Sequence, residues 1–113
     1  MAKRVPLNAI KRVKKQQYIL EKIAKSKSRD RRKMLNNAPN QLLSVFKTIC
    51  KLVMDGKLQL GRAKRYQKTV EKVSKTPVKT IKATIKQQGS GIFGSIIAGV
   101  LPFLGPIIKG LLG

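Results

Sequence analysis

The sequence predicts an all-α protein, with a central helical hairpin flanked by a basic arm and a Gly/Pro-kinked hydrophobic C-terminal helix. Two observations predict it. Apolar residues recur at helical rather than alternating spacing along most of the 113 residues. Proline and glycine punctuate the chain between those runs, at Pro39, Gly56, Gly61, Pro77 and Gly89. A third feature, the charge distribution, divides the chain. Residues 1–35 carry 13 basic and two acidic side chains, residues 36–60 are close to balance, residues 61–88 are basic again, and Lys109 is the only charge beyond residue 88. The expected organisation is therefore a basic arm with one helix (1–35), a central helical hairpin (36–76), a basic helical segment (77–88) and a hydrophobic Gly-rich tail (89–113).

Taken in order, Ile10, Val13, Leu20 and Ala24, with Ile19 and Ile23 beside them, make a loose 3.6-residue period over residues 8–25. The other faces of that helix are Lys and Arg. Nothing within the arm covers its apolar stripe, so like-charge repulsion is expected to leave the isolated arm partly disordered until a polyanion neutralises it. Residues 25–34 read as a solvated basic linker. Pro39 stands near a first helical position, and Leu42, Phe46, Ile49 and Val53 follow as one stripe. Leu43, Val45, Cys50 and Leu52 widen it until only Ser44, Lys47, Thr48 and Lys51 are left as a polar side. A helix this apolar needs burial over most of its circumference, which makes self-association through it a candidate. Gly56 suits the left-handed cap that ends it. Ala63, Tyr66, Val70 and Val73 mark the second helix of the hairpin, and Val78, Ile81 and Ile85 a short third one.

The tail repeats bulky doublets separated by small residues or proline. The doublets are Ile92-Phe93, Ile96-Ile97, Val100-Leu101, Phe103-Leu104, Ile107-Ile108 and Leu111-Leu112. Gly91, Ser95 and Gly99 form a small-xxx-small face that permits close helix contact. Pro102 and Pro106 are expected to kink or split the helix. As a membrane span the uncharged stretch 92–108 is short. As an interfacial, membrane-disrupting segment or a docking tail its bulky residues would be the contact set. In composition it is similar to short Gly/Leu/Ile/Pro host-defence peptides.

The composition also bounds chemistry. There are 26 basic residues, four acidic ones, no His and one Cys, for a formal net charge of +22. Zinc requires about four Cys, His or carboxylate ligands, so no metal or other cofactor is expected. General acid–base work at neutral pH calls for a His or a tuned carboxylate, so the chain is not expected to be an enzyme. Cys50 has no intrachain disulfide partner and reads as a small buried hydrophobe. No long apolar run marks a signal peptide in the first 20 residues. The charge points to a polyanion. The candidate contacts are Lys11, Arg12, Lys14, Lys15, Lys25, Lys27, Arg29, Arg31, Arg32 and Lys33 in the arm, then Arg62, Lys64, Arg65 and Lys68. Such binding is driven by counterion release and is largely indifferent to sequence. No element carries the set of side chains that base readout requires. Tyr18 and Tyr66 read as helix-packing aromatics.

The ordered features carry a resemblance. A basic arm precedes NNAPNQLLSVFKTICKLVMDGKLQL, then RAKRYQKTVEKV, then IKQQGSGIFGSIIAGVLPFLGPIIKGLLG. Over roughly residues 29–113 this resembles the small basic proteins encoded by Maverick/Polinton elements and adintoviruses, relatives of adenoviruses. The shared pattern is an apolar helix ending in Gly before a Leu-x-Leu turn, basic helices, a QQG-type junction and a Gly/Leu/Ile/Pro tail. Here Gly61, Tyr66 and Gln67 dilute the second basic helix and Ser90 interrupts the glycines. The resemblance implies a minor virion protein of a double-stranded DNA virus or virus-like element, located in the virion and, during assembly, the host nucleus. Its implied partners are packaged DNA, capsid proteins and, through the tail, a membrane during entry. Gln87-Gln88-Gly89-Ser90-Gly91 matches both glycines of an adenovirus-type protease site, with Gln where an aliphatic residue is usual, so cleavage between Ser90 and Gly91 is a candidate event. Two other readings stand beside it: a capsid cement or capsid–genome tether whose tail docks on protein, and a membrane-active toxin-like peptide.

Overall fold

The computed structural model describes residues 7–89 and 91–112, with the side chains of residues 7, 28 and 107–112 outside the description. The protein is all-α. Its helices are α1 (Leu7–Lys25), α2 (Ser28–Asn36), α3 (Asn40–Met54), α4 (Gln67–Ser74), α5 (Val78–Gln88) and α6 (Gly91–Leu112), with a 3-10 segment, Gly61–Tyr66, leading into α4.

Local chemistry explains most boundaries. Pro39 precedes the first residue of α3, its φ of −71° already suited to helix entry. At the other end Gly56 adopts φ 74°. Its N–H donates to the Val53 carbonyl at 3.1 Å and that of Lys57 to Leu52 at 2.9 Å, the paired bonds of a Schellman cap. Pro77 starts α5 in the same way as Pro39. Residues 28–36, expected to be linker, are instead helical. Leu35 and Met34 give α2 an inward edge, with Leu35 fully buried, and burial of that edge outweighs the repulsion among its cations.

The core is one continuous cluster drawn from every helix. α3 packs on α1, α4 and α5, so the expected hairpin of α3 with residues 61–74 is present. Leu42, Leu43, Val45, Phe46, Ile49, Cys50 and Leu52 are all buried within the chain. The self-association expected of α3 is thus replaced by intrachain packing. The element that completes the core is α6, which lies against α1, α2, the 3-10 segment and, at its start, α5. It supplies the cover that the apolar stripe of α1 lacked in the sequence.

Two features of α6 are specific. It runs as one helix through Pro102 and Pro106 instead of splitting there. Both prolines face solvent, where water satisfies the carbonyls that a helical proline leaves without an N–H partner. Meanwhile Val100 and Leu104, buried on either side of Pro102, hold the helix in place. The small-residue face works as a close contact. A Cβ added at Gly99 would fall on the Leu60 carbonyl and on Ala63 of the 3-10 segment. Because that carbonyl belongs to the backbone, it cannot swing aside. Gly99→Ala is therefore expected to cost about 1–3 kcal/mol, read as a lowered urea midpoint followed by circular dichroism. An unchanged midpoint would show that α6 does not lie against residues 60–63.

The radius of gyration, 12.9 Å, is that of a close-packed domain of this length.

Candidate nucleic-acid interface

With the apolar residues inward, the cations are left on the outside. On α1, Val13, Leu20 and Ile23 are buried. By helical spacing Lys11, Lys14, Lys15, Tyr18, Lys22 and Lys25 share the opposite face, and all six are exposed. From Lys11 to Lys25 the stripe is about 21 Å long at 1.5 Å per residue, enough to face several phosphates of one strand. Tyr18 lies at its centre, 75 % exposed. The expectation that it packs within the fold is therefore corrected: its face of α1 has no helix against it, so the ring stands among lysines in water. Tyr66 does pack, half-buried against the core, with the Arg65 guanidinium 4.8 Å from its ring centre.

The remaining expected contacts divide clearly. Arg12, Lys27, Arg29, Arg32, Lys33, Arg62, Lys64, Arg65 and Lys68 are exposed. Arg31 is different. Its Nε donates to the Ile23 carbonyl at 3.2 Å and its Nη2 to the Ala24 carbonyl at 2.8 Å. These are carbonyls of the last turn of α1, where a cation also meets the negative end of the helix dipole. Arg31 is thus first a clasp joining α2 to α1, and its guanidinium reaches on to the Ser95 hydroxyl of α6 at 3.5 Å. It is a fixed group where the sequence suggested a mobile one.

Little opposes this charge. Among the described residues the one ion pair is Lys75 with Glu71, 3.4 Å apart and exposed. Asp30 is the sole acid in the first turn of any helix from α1 to α6, so most helix N-termini keep their partial positive charge. Cations instead occupy last turns, as with Lys22 and Lys25 of α1 or Lys86 of α5, where the dipole stabilises them without a carboxylate. That arrangement lets a chain this basic fold while leaving its charge available.

The tail residues expected to meet a membrane or a groove lie elsewhere. Phe93, Ile96, Ile97, Val100 and Leu104 are at most 3 % exposed, inside the chain's own core. Ile92, Leu101 and Phe103 pack against that core. The correction has a simple cause: α1, α2 and the 3-10 segment offer α6 an apolar surface within the chain that the sequence alone did not reveal. The side chains of Ile107, Ile108, Leu111 and Leu112 lie outside the described residues. So does Ser90, which leaves the candidate cleavage point only partly placed. Gly91 opens α6, and Gln87 and Gln88, the last residues of α5, are exposed, as is Gly89 after them.

Cys50 is buried, and that burial pushes its thiol well above the usual range, as befits an inert packing residue. Among the described residues no cluster of His, Cys, Asp or Glu is arranged to hold a metal ion. Two residues of this interface, Tyr18 and Lys22, were not among the expected contacts. The signal for both was present in the spacing of Lys11, Lys15, Tyr18, Lys22 and Lys25.

Comparison with protein-family models, curated proteins and solved structures gives no match in any of the three.

Proposed function

We propose that this chain is a small structural protein that binds double-stranded DNA without sequence preference, through a cationic surface mounted on a folded helical core. The observation that carries the reading is the α1 stripe, five exposed lysines on one helix face, none of them ion-paired among the described residues. Lysines placed this way neutralise phosphates and release counterions. They carry no planar, bidentate geometry with which to read a base edge. With the resemblance of the sequence to minor virion proteins, the natural DNA is a packaged genome. The protein then belongs to the virion and, during assembly, the host nucleus, with capsid proteins as neighbours. A capsid–genome tether uses the same surface.

Fluorescence anisotropy with two unrelated labelled duplexes, across a salt series, tests this. If about ten phosphates are engaged, log K falls with log salt at a slope of about −9, and the two duplexes bind within a factor of about three of each other. A shallow slope, or a hundredfold preference for one duplex, would sink the proposal.

A membrane role during entry is a second reading, and one observation favours it. Among the described residues no single helix is long and apolar enough to cross a membrane, but α5 and residues 91–106 of α6 reach that length and apolar composition as a pair bent by 105°. In the folded chain the apolar face of α6 is occupied, so this role requires α6 to leave the core.

A further inference from the structure

Beyond the general cationic surface, one cleft brings three arginines together. Its volume is about 300 Å³, and it lies where α2, the 3-10 segment and α6 meet, lined by Arg31, Arg62, Arg65, Tyr66, Ser95 and Gly99. We infer that this cleft is a discrete phosphate-binding site, taking the phosphoryl group of a backbone or of a small phosphorylated compound, and that Arg31 is its fixed anchor.

Four observations converge on that chemistry. The first is rigidity. Arg31 is tied at Nε and Nη2 to the Ile23 and Ala24 carbonyls, so little side-chain entropy remains to be lost when a ligand arrives. Of its five N–H donors, two are spent on those carbonyls and one reaches Ser95. The guanidinium therefore enters the cleft already oriented, with donors to spare. The second is room. Gly94 has no Cβ where the Arg31 side chain crosses α6; one placed there would overlap Arg31 Cδ and Nε. The third is charge. Three arginines line one cleft, no carboxylate among the described residues lines it, and the described ion pair, Lys75 with Glu71, involves none of them. Arg is the side chain whose planar fork fits phosphate oxygens, and an anion in the cleft would relieve the repulsion among the three. The fourth is the floor. Ser95 gives its proton to the Gly91 carbonyl at 3.1 Å and accepts from Arg31 Nη1 at 3.5 Å, so it holds the guanidinium in place and is not itself a donor to the ligand. Arg65 is steadied by its position over the Tyr66 ring. A cleft of this size is at the small end for a ligand pocket, suited to one or two phosphoryl groups.

The site does not depend on the DNA-binding proposal, because a free phosphoryl compound satisfies the same donors. The test uses the full chain and inorganic pyrophosphate at 150 mM chloride, followed by isothermal titration. Arg62→Gln/Arg65→Gln is the site variant. Both side chains are exposed, so the fold survives the change, which circular dichroism verifies. Lys79→Gln/Lys86→Gln on α5 removes the same charge elsewhere. The expected result is saturable binding of one pyrophosphate, at least tenfold weaker in the site variant and changed less than twofold in the α5 variant. Non-saturable binding, or an equal loss in both variants, overturns the site in favour of diffuse attraction. Duplex DNA binding by the same two variants assigns the source. If the site variant loses more DNA affinity than the α5 variant, the cleft seats a backbone phosphate. If the two lose equally while pyrophosphate still discriminates, the ligand is a small phosphorylated compound.

Discussion

Replacing Phe93 with alanine is expected to destabilise the fold as much as any other single truncation. Phe93 is completely buried, and its ring meets that of Phe46 edge to face, with centroids 4.7 Å apart and planes at 82°. This contact joins α6 to α3 at the centre of the core. Truncating a buried Phe costs about 3–5 kcal/mol, through lost transfer energy and the cavity left behind. Domains of this size have only about 5–15 kcal/mol in total. Urea denaturation followed by circular dichroism is expected to show the midpoint falling by a third or more. A cost below about 1 kcal/mol would mean that α6 does not complete the core. The same variant bears on the membrane reading. If the tail acts on bilayers, freeing it should raise dye release from lipid vesicles well above that of the intact chain. Unfolding of the core without any gain in dye release would leave α6 a structural helix only.

Neutralising the α1 stripe is expected to have the largest effect on DNA binding. Lys11, Lys14, Lys15, Lys22 and Lys25 are exposed on one face, and each phosphate contact contributes about 0.9 to the salt slope. Changing all five to Gln should make the slope of log K against log salt shallower by about 4–5 if each meets a phosphate. Affinity at low salt should fall by several orders of magnitude. The fold should hold, because these side chains are exposed and their removal relieves repulsion. A comparison variant with five exposed lysines changed on other elements (Lys51, Lys68, Lys72, Lys79 and Lys86) separates a defined face from total charge. Equal changes in slope for the two variants would count against α1 as the binding face and leave only the net charge of +22 as the cause.

The virion reading and the phosphate cleft make different demands on the same surface. The stripe on α1 is long, flexible and lysine-rich, suited to tracking a backbone whose position varies. The cleft is compact and arginine-lined, suited to holding one group in place. A protein that spreads along packaged DNA benefits from the first kind of contact at many positions and from the second at few.

The sequence by itself determined the helical class and nearly every helix. The spacing of apolar residues needs no partner to be read, and Pro39, Gly56 and Pro77 act through local backbone geometry. It also determined that the chain carries a large unneutralised positive charge, because four acids cannot balance 26 bases wherever they fall. What it left undecided was where each apolar face would find cover. The tail offered a hydrophobic helix with no visible partner, and a membrane and a groove on a capsid protein were both physically reasonable. The tertiary structure decided that the partner of α6 is the rest of the chain. The stripe of α1, too exposed on its own, closes on it together with α2 and the 3-10 segment, and Gly99 allows the approach to residues 60–63. It likewise decided the fate of individual cations. Arg31 differs from Arg29 and Arg32 in nothing that the sequence records, yet its place on α2 turns it inward onto the end of α1. The physical reason is that burial is a property of pairs of surfaces. Periodicity along the chain reveals one member of each pair, and only the fold brings the other against it.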